Sequence, residues 1–414
     1  MIPRNITESL LAALKDSPVV LLNGARQTGK STLVQALASS GHPARYLTFD
    51  DATVLASARQ DPQGFIAGLN GPVILDEVQR VPEIFLSIKA EVDRSRRPGQ
   101  FLLTGSADVL LLPRLAESLA GRMEVLTLWP FSQGELEKVT EGSIDAFFAK
   151  ELPPFKDKPL NRSELFQRVL AGGYPEAVTR KSEDRRRAWF GSYLTTILQR
   201  DVRDLAQIEG LTILPRLLSL LATRTMSLLN YSDLSRSVGI PQTTLKRYMA
   251  LLETTFLLQS LPAWYANIGK RLVKSPKLML LDTGLAAHLL GMSVDRLSTD
   301  AGLAGPLLEN FVAMEIRKQA LWSRTHVEVY HVRSQAGQEV DLIMEDAAGS
   351  IVGVEVKASG TVTGQDFTGL RVLADAVKER FRRGIVLYTG SEPVAFAEKF
   401  YALPMSALWQ LKLQ

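Results

Sequence analysis

The chain has 414 residues, 46% hydrophobic and 22% charged, with a formal net charge of +4 and no cysteine. That length supports two or three domains with their own cores, and the absence of cysteine excludes disulfides and thiolate metal sites. No run of about eighteen apolar residues occurs, and residues 1–20 lack a basic start, a long apolar core and a cleavage site, so a cytoplasmic location and no membrane partner are expected.

The first predicted elements lie in "SPVVLLNGARQTGKSTLVQALAS", an apolar strand, a glycine-bounded loop and an amphipathic helix. Gly24-Ala25-Arg26-Gln27-Thr28-Gly29-Lys30-Ser31 fits G-x-x-x-x-G-K-[ST], with Thr32 next in the helix. The loop N–H groups and the helix N-terminus cradle phosphates, Lys30 reaches the β- and γ-phosphates, and the Ser31 hydroxyl ligates Mg²⁺. ATP with Mg²⁺ is the expected cofactor pair. The segment "ARYLTFDDATV" predicts a strand ending in Asp50-Asp51. The next buried strand, "GPVILDEVQRVPEI", ends in Asp76-Glu77 at the carboxyl end, where open α/β sheets bind ligands. There Asp76 holds Mg²⁺ through water and Glu77 polarises the attacking water. A third strand, "QFLLTGSAD", ends at Thr104, a candidate sensor of the γ-phosphate, although Thr-Gly-Ser is also turn chemistry.

These residues resemble AAA+-type P-loop ATPases, with Walker A at 24–31, Walker B at 73–77 and a polar strand end at 104. "LAESLAGRMEVLTLWPFSQGEL" and "GGYPEAV" extend the resemblance to a prokaryotic family of AAA ATPases that carries a C-terminal domain of unknown function. The resemblance covers nearly the whole chain. It makes Arg122, just before a strand, a candidate to meet the γ-phosphate in cis or from a neighbour, against the alternative of a surface arginine. Assembly into a homo-oligomer stays open. "FQRVLAGGYPEAVTR" fits a helical lid, with Gly172-Gly173 ending one helix and Pro175 starting the next. A long amphipathic helix is expected over 189–208, carrying an Arg200-Asp201 pair.

"YSDLSRSVGIPQTTLKRYMALLETTFLLQSL" carries a helix-turn-helix pattern with Gly239 in the turn, followed by two strand-like runs around a basic loop. A winged helix follows from that order. In a DNA-binding example, Thr243, Thr244, Lys246 and Arg247 face the major groove, and Lys270, Arg271 and Lys274 touch phosphates. The alternative is a rigid connector or protein-contact module.

The tail reads helix, three strands, helix, strand, with Glu309 in the first helix, Asp341 in "EVDLIME" and Glu355-x-Lys357 in "VEVKAS". This order resembles the restriction-endonuclease-like fold of the PD-(D/E)xK type. The resemblance implies a site in which Glu309, Asp341 and Glu355 serve Mg²⁺ or Mn²⁺, and Lys357 orients water or neutralises phosphate. A hairpin with charged ends is the alternative, since D…E-x-K recurs by chance in half-exposed strands.

The expected fold class is α/β. A P-loop parallel sheet spans 1–140, a helical lid or linker 141–208, a winged helix 209–295 and a smaller endonuclease-like α/β domain 296–414. Two functions remain open: an ATPase that drives a transaction on nucleic acid, DNA first, or a nucleotide-controlled switch whose C-terminal domain only binds. A metabolite kinase is disfavoured by the two appended modules and the lack of an acceptor motif.

Overall fold

A strand buried on both faces has no need of polar alternation, and Val19–Leu22 is apolar at every position. In the computed structural model, which describes residues 2–107, 119–155, 160–202, 211–265, 275–333 and 338–413, those four side chains have no exposed surface. The described residues divide into two compact units, Pro3–Phe131 with Ala250–Leu257, and Ser132–Met249 with Leu258 onward.

The first unit runs α1 (Thr7–Asp16), β1 (Val19–Asn23), α2 (Lys30–Ser40), β2 (Arg45–Thr48), α3 (Ala52–Gln60), α4 (Pro62–Ala67), β3 (Val73–Asp76), α5 (Ile84–Arg94), β4 (Phe101–Gly105) and β5 (Met123–Thr127). The five strands form one sheet in the order β2-β3-β4-β1-β5, all neighbours parallel. Parallel neighbours require crossovers, and helices supply them between β1, β2, β3 and β4. The core joins Leu21, Leu75 and Leu103 of the sheet to Ile84, Phe85, Ile88 and Val92 of α5. The order places β4 between β1 and β3, so the carboxyl ends of three strands meet along one edge.

In the second unit the helix Arg162–Ala171 stops at Gly172, whose φ is +69°, and Pro175 opens the next helix, as the sequence predicts. A Cβ at Gly172 would lie 2.1 Å from an Asp282 oxygen, and that same carboxylate accepts the Gly173 N–H at 2.7 Å. The long helix expected over 189–208 begins earlier, at Glu183, and loosens after Thr196 into a π-helical turn over Ile197–Val202. The helices Tyr231–Val238 and Gln242–Thr254 flank a turn with Gly239 left-handed at φ +78°. Leu234, Val238, Leu245, Tyr248 and Met249 are buried, while Thr243, Lys246 and Arg247 are exposed. An antiparallel pair follows, β6 (Leu258–Leu261) with β7 (Lys277–Leu280). The second apolar run stops being strand after Leu280, because Asp282 caps a helix that starts at Thr283. Lys270, Arg271 and Lys274 lie outside the described residues.

The helix Ala301–Gln319 leads into a six-stranded mixed sheet of β8 (Val327–Arg333), β9 (Glu339–Asp346), β10 (Ile351–Lys357), β11 (Phe381–Tyr388), β12 (Val394–Ala397) and β13 (Phe400–Pro404). The first three strands are an antiparallel meander, and β11 joins parallel to β10 after the helix Thr368–Val377. Phe367, Leu370, Leu373 and Val377 cover one face of that sheet, against Val340, Ile343, Ile351 and Val386.

Candidate functional site

The loop after β1 takes the shape its glycines permit. Gly24 has φ +144°, and a Cβ there would lie 2.3 Å from the Leu128 carbonyl oxygen. Gly29, at φ +97°, caps α2, so Lys30 is the first helical residue and Ser31 and Thr32 follow in the first turn. Lys30 is 4% exposed and donates to the Gly24 and Ala25 carbonyls at 2.8 and 2.9 Å, across the same loop that would wrap phosphates. The Thr28 hydroxyl donates to the Ala25 carbonyl at 3.0 Å. Arg4 donates to the Thr28 carbonyl at 2.8 Å and to the Trp129 carbonyl at 2.6 Å, bracing the loop from behind.

Asp76 ends β3 and is buried. Tyr46 on β2 donates its hydroxyl to Asp76 Oδ2 at 2.6 Å, and Thr104 on β4 donates to Oδ1. Burial, followed by the Asp76 carboxylate, pushes the Tyr46 phenol up to about 12. Glu77 is left-handed at φ 63°, a sparsely populated conformation for a residue with a side chain. Its N–H donates to Thr104 Oγ1 at 3.1 Å, and its carboxylate accepts from Ser106 at 3.0 Å and from Gln79. The Thr104 hydroxyl therefore joins the Asp76 carboxylate at the end of β3 to the backbone N–H of Glu77 just past it, and Ser106, beyond the end of β4, contacts the Glu77 carboxylate. Sequence reasoning missed Tyr46 and Gln79 and gave Ser106 no partner; Gln79 and Ser106 lie just past the carboxyl ends of β3 and β4, whereas Tyr46 lies within β2 and carried no such signal.

Arg122 lies elsewhere. In the parallel register Met123 pairs with Val19 and Thr127 with Asn23, so Arg122 sits at the amino end of the sheet. Five residues of strand, roughly 16 Å, separate that end from the P-loop. Arg122 pairs there with Asp93 at 2.6 Å and holds that carboxyl below its usual range. A cis contact with the γ-phosphate is incompatible with this placement.

The residues of this loop fit ATP and Mg²⁺. N–H groups and the N-terminus of α2 face one edge, Ser31 stands in its first turn, and the hydroxyl partners of Asp76 leave its negative charge uncompensated by either of them.

The carboxyl-terminal residues meet in a different way. The ladder between β9 and β10 ends at Leu342–Val354, and beyond it the Asp341 carboxylate accepts the Val356 N–H at 2.9 Å. Asp341 and Glu355 are buried side by side. Burial, then the Asp341 carboxylate, raises the Glu355 pKa well above the carboxylate range. Glu309 is also raised, first by burial and then by Asp341. Lys357, by contrast, has Asp366 as an ion-pair partner at 3.8 Å. Lys277 of β7 enters the group: its Nζ lies 2.5 Å from Glu339, 3.7 Å from Glu309 and 3.8 Å from Asp341. Nothing local in the sequence announced Lys277 or Glu339. Among the described residues, no three His, Cys, Asp or Glu side chains are arranged to hold a metal ion. The acids Glu309, Asp341 and Glu355 are thus brought together, with the Lys277 ammonium beside Glu309 and Asp341.

Residues 16–137 match an AAA domain, 162–296 a domain of unknown function, DUF8612, and 304–408 another, DUF4143. Solved structures that align include a Walker-type ATPase of Pyrococcus abyssi, at 16% identity over 70% of this chain and 96% of that one, with TM-score 0.43. The RuvB Holliday junction branch migration motor of Thermotoga maritima aligns at 20% identity over 63% and 90%, with TM-score 0.27. Uncharacterized proteins of Mycobacterium tuberculosis and Mycobacterium bovis are 32% identical over 407 residues, 97% of this chain and 83% of each relative. With its P-loop sheet in the segment that matches the AAA domain, the chain belongs to the family of these mycobacterial proteins, and its amino-terminal part is a P-loop ATPase domain of the AAA type.

Proposed function

We propose that the protein hydrolyses ATP on the loop 24–31 and uses that cycle to act on nucleic acid through its middle and carboxyl-terminal segments. The observation that carries the first half is the convergence of the P-loop, Asp76, Glu77 and Thr104 at the carboxyl ends of β1, β3 and β4. The N–H groups of residues 25–30 and Lys30 bind the phosphates once Lys30 leaves the Gly24 and Ala25 carbonyls. Mg²⁺, when bound through Ser31 and Asp76, supplies charge neutralisation at the phosphates. Tyr46 and Thr104 orient Asp76, and Thr104 with Ser106 fixes Glu77, which takes up the role of orienting the attacking water. Glu77→Gln tests this: bound ATP should persist while turnover falls by two or more orders of magnitude, and parental turnover would refute the assignment.

The second half rests on the order helix, turn, helix, paired strands over 231–280, read as a winged helix. Its second helix presents Thr243, Lys246 and Arg247 to solvent, groups suited to phosphates and base edges. The carboxyl-terminal sheet, with a meander, a crossover helix and the acids on β9 and β10, fits an endonuclease-like fold. A second reading, in which this domain binds without cutting, is favoured by Lys277 among its carboxylates. Incubation of plasmid and single-stranded DNA with Mn²⁺, with and without ATP, separates the two readings by cleavage.

A further inference from the structure

A lysine side chain is almost never fully buried unless it is paired, and Lys277 is 2% exposed. Its strand belongs to the β6–β7 pair, where Lys277 faces Leu261, yet its ammonium lies among carboxylates contributed by the helix Ala301–Gln319 and by β9. One point in space is therefore within 2.5 Å of Glu339, 3.7 Å of Glu309 and 3.8 Å of Asp341, and a positive charge occupies it. Hard divalent cations take carboxylate oxygens at roughly 2.0–2.6 Å. The same oxygens cannot close on such an ion while the ammonium stands between them, and the two like charges would repel.

We infer that Lys277 is a built-in cation, an autoinhibitory contact that occupies the place of a divalent metal and closes the carboxyl-terminal acidic cluster to it. The inference rests on the endonuclease-like reading of that sheet. Two further features agree with it. Lys357, the residue expected to face the reacting phosphate, has Asp366 as its ion-pair partner. His331, near Lys277, is buried and kept neutral, its pKa lowered to about 4 by burial and then by Lys277 itself, while Ser275 and Glu339 oppose that shift. On Lys277, burial works against the charge, but Asp341, Glu309 and Glu339 together more than offset it. A neutral side chain at 277 vacates the cation position and leaves an acid set that a divalent metal can neutralise.

The experiment is a thermal melt of the full chain in a Mn²⁺ titration, on the parent, Lys277→Met, Asp341→Asn and Lys277→Met/Asp341→Asn. Any shift that survives Asp341→Asn belongs to other sites and is subtracted. The expected result is no Asp341-dependent shift in the parent and an upward shift in Lys277→Met that grows with the logarithm of free Mn²⁺. If Lys277→Met does not fold, Lys277→Met/Glu339→Gln removes the ammonium with its nearest partner and should show the same gain. An Asp341-dependent shift in the parent overturns the built-in cation while upholding the metal reading of the cluster. No gain in either lysine variant overturns both. The ATP turnover of every variant should equal the parent's, so failure of the ATPase assignment is read separately.

Discussion

Thr104→Val removes one hydroxyl and keeps the side-chain shape. In the structure that hydroxyl donates to Asp76 and accepts the Glu77 N–H at 3.1 Å, in a position with no exposed surface. The substitution leaves a buried N–H without its acceptor and a carboxylate oxygen without one donor. A bond to a charged group contributes about 1.5–3 kcal/mol and an orphaned donor costs about 1–3 kcal/mol, so a loss of about 2–4 kcal/mol is expected after partial relaxation. For a unit of this size the corresponding drop in Tm is roughly 5–15 °C. Catalysis should fall further than binding, because the Glu77 N–H bond helps to hold that residue left-handed and aims its carboxylate. Calorimetry, nucleotide affinity and single-turnover hydrolysis on Thr104→Val and Thr104→Ser check this, with serine restoring most of both losses. Equal melting and equal turnover in Thr104→Val would show that the hydroxyl bridge neither stabilises the sheet edge nor positions Glu77.

Lys30→Ala should abolish ATP binding in equilibrium dialysis, since the loop loses its cation. Arg122→Ala should leave turnover by an isolated subunit unchanged and barely move Tm, as loss of an exposed ion pair does; loss of turnover only at assembly-forming concentrations would place the arginine in a neighbour's site. Glu141 is 4% exposed and its carboxyl is raised to about 7, by burial and then by Glu315, with Ser132 opposing. The folded state therefore holds a proton that the unfolded state releases, and stability falls as pH rises from the unfolded value of 4.5 toward 7. Glu141→Gln, which keeps an acceptor for the Gly134 N–H, should raise Tm above pH 7 and change it little near pH 5; the upper bound on the gain, at about 1.4 kcal/mol per tenfold change in proton affinity, is about 3 kcal/mol. Lys246→Ala/Arg247→Ala should weaken binding to duplex DNA and flatten the logarithmic salt dependence by roughly 0.9 for each phosphate that is no longer neutralised, in a filter-binding titration. An unchanged slope moves the DNA-binding surface away from this helix.

The P-loop was legible because its information is local: eight consecutive residues fix the turn, the helix start and the lysine together. The strand ends at Asp76 and Thr104 were legible as positions but not as partners. That Thr104 bridges both acids depends on β4 lying beside β3, a sheet order no short segment encodes. Arg122 illustrates the cost of that gap. Its place inside a family-like stretch, at the start of a strand, suggested the γ-phosphate, yet the pairing of Met123 with Val19 puts it at the opposite end of β5 from the P-loop. The carboxyl-terminal strand order was legible from period and turns, whereas β12 and β13 were not anticipated. Lys277 was invisible for a different reason: it lies far from Glu309, Glu339 and Asp341 in sequence, and β7 reaches the helix of Glu309 through tertiary contacts such as the Asn310 side chain, which accepts the Leu280 N–H and donates to the Leu280 carbonyl.

The two acidic sites differ in how their charge is compensated, and that difference decides what each can take up. Asp76 has hydroxyl partners in Tyr46 and Thr104, which orient the carboxylate and leave its negative charge available to a bound cation. Asp341 has an N–H and an ammonium, which orient it and also take its charge. A hydroxyl can remain in place when a divalent ion arrives, because it carries no charge to repel the ion. An ammonium cannot remain without mutual repulsion, of about 8 kcal/mol for a divalent ion at 4 Å under an effective dielectric of 20. Equal carboxylates therefore have unequal surroundings: hydroxyls on Asp76 would let a divalent ion approach, whereas the ammonium beside Asp341 would oppose one.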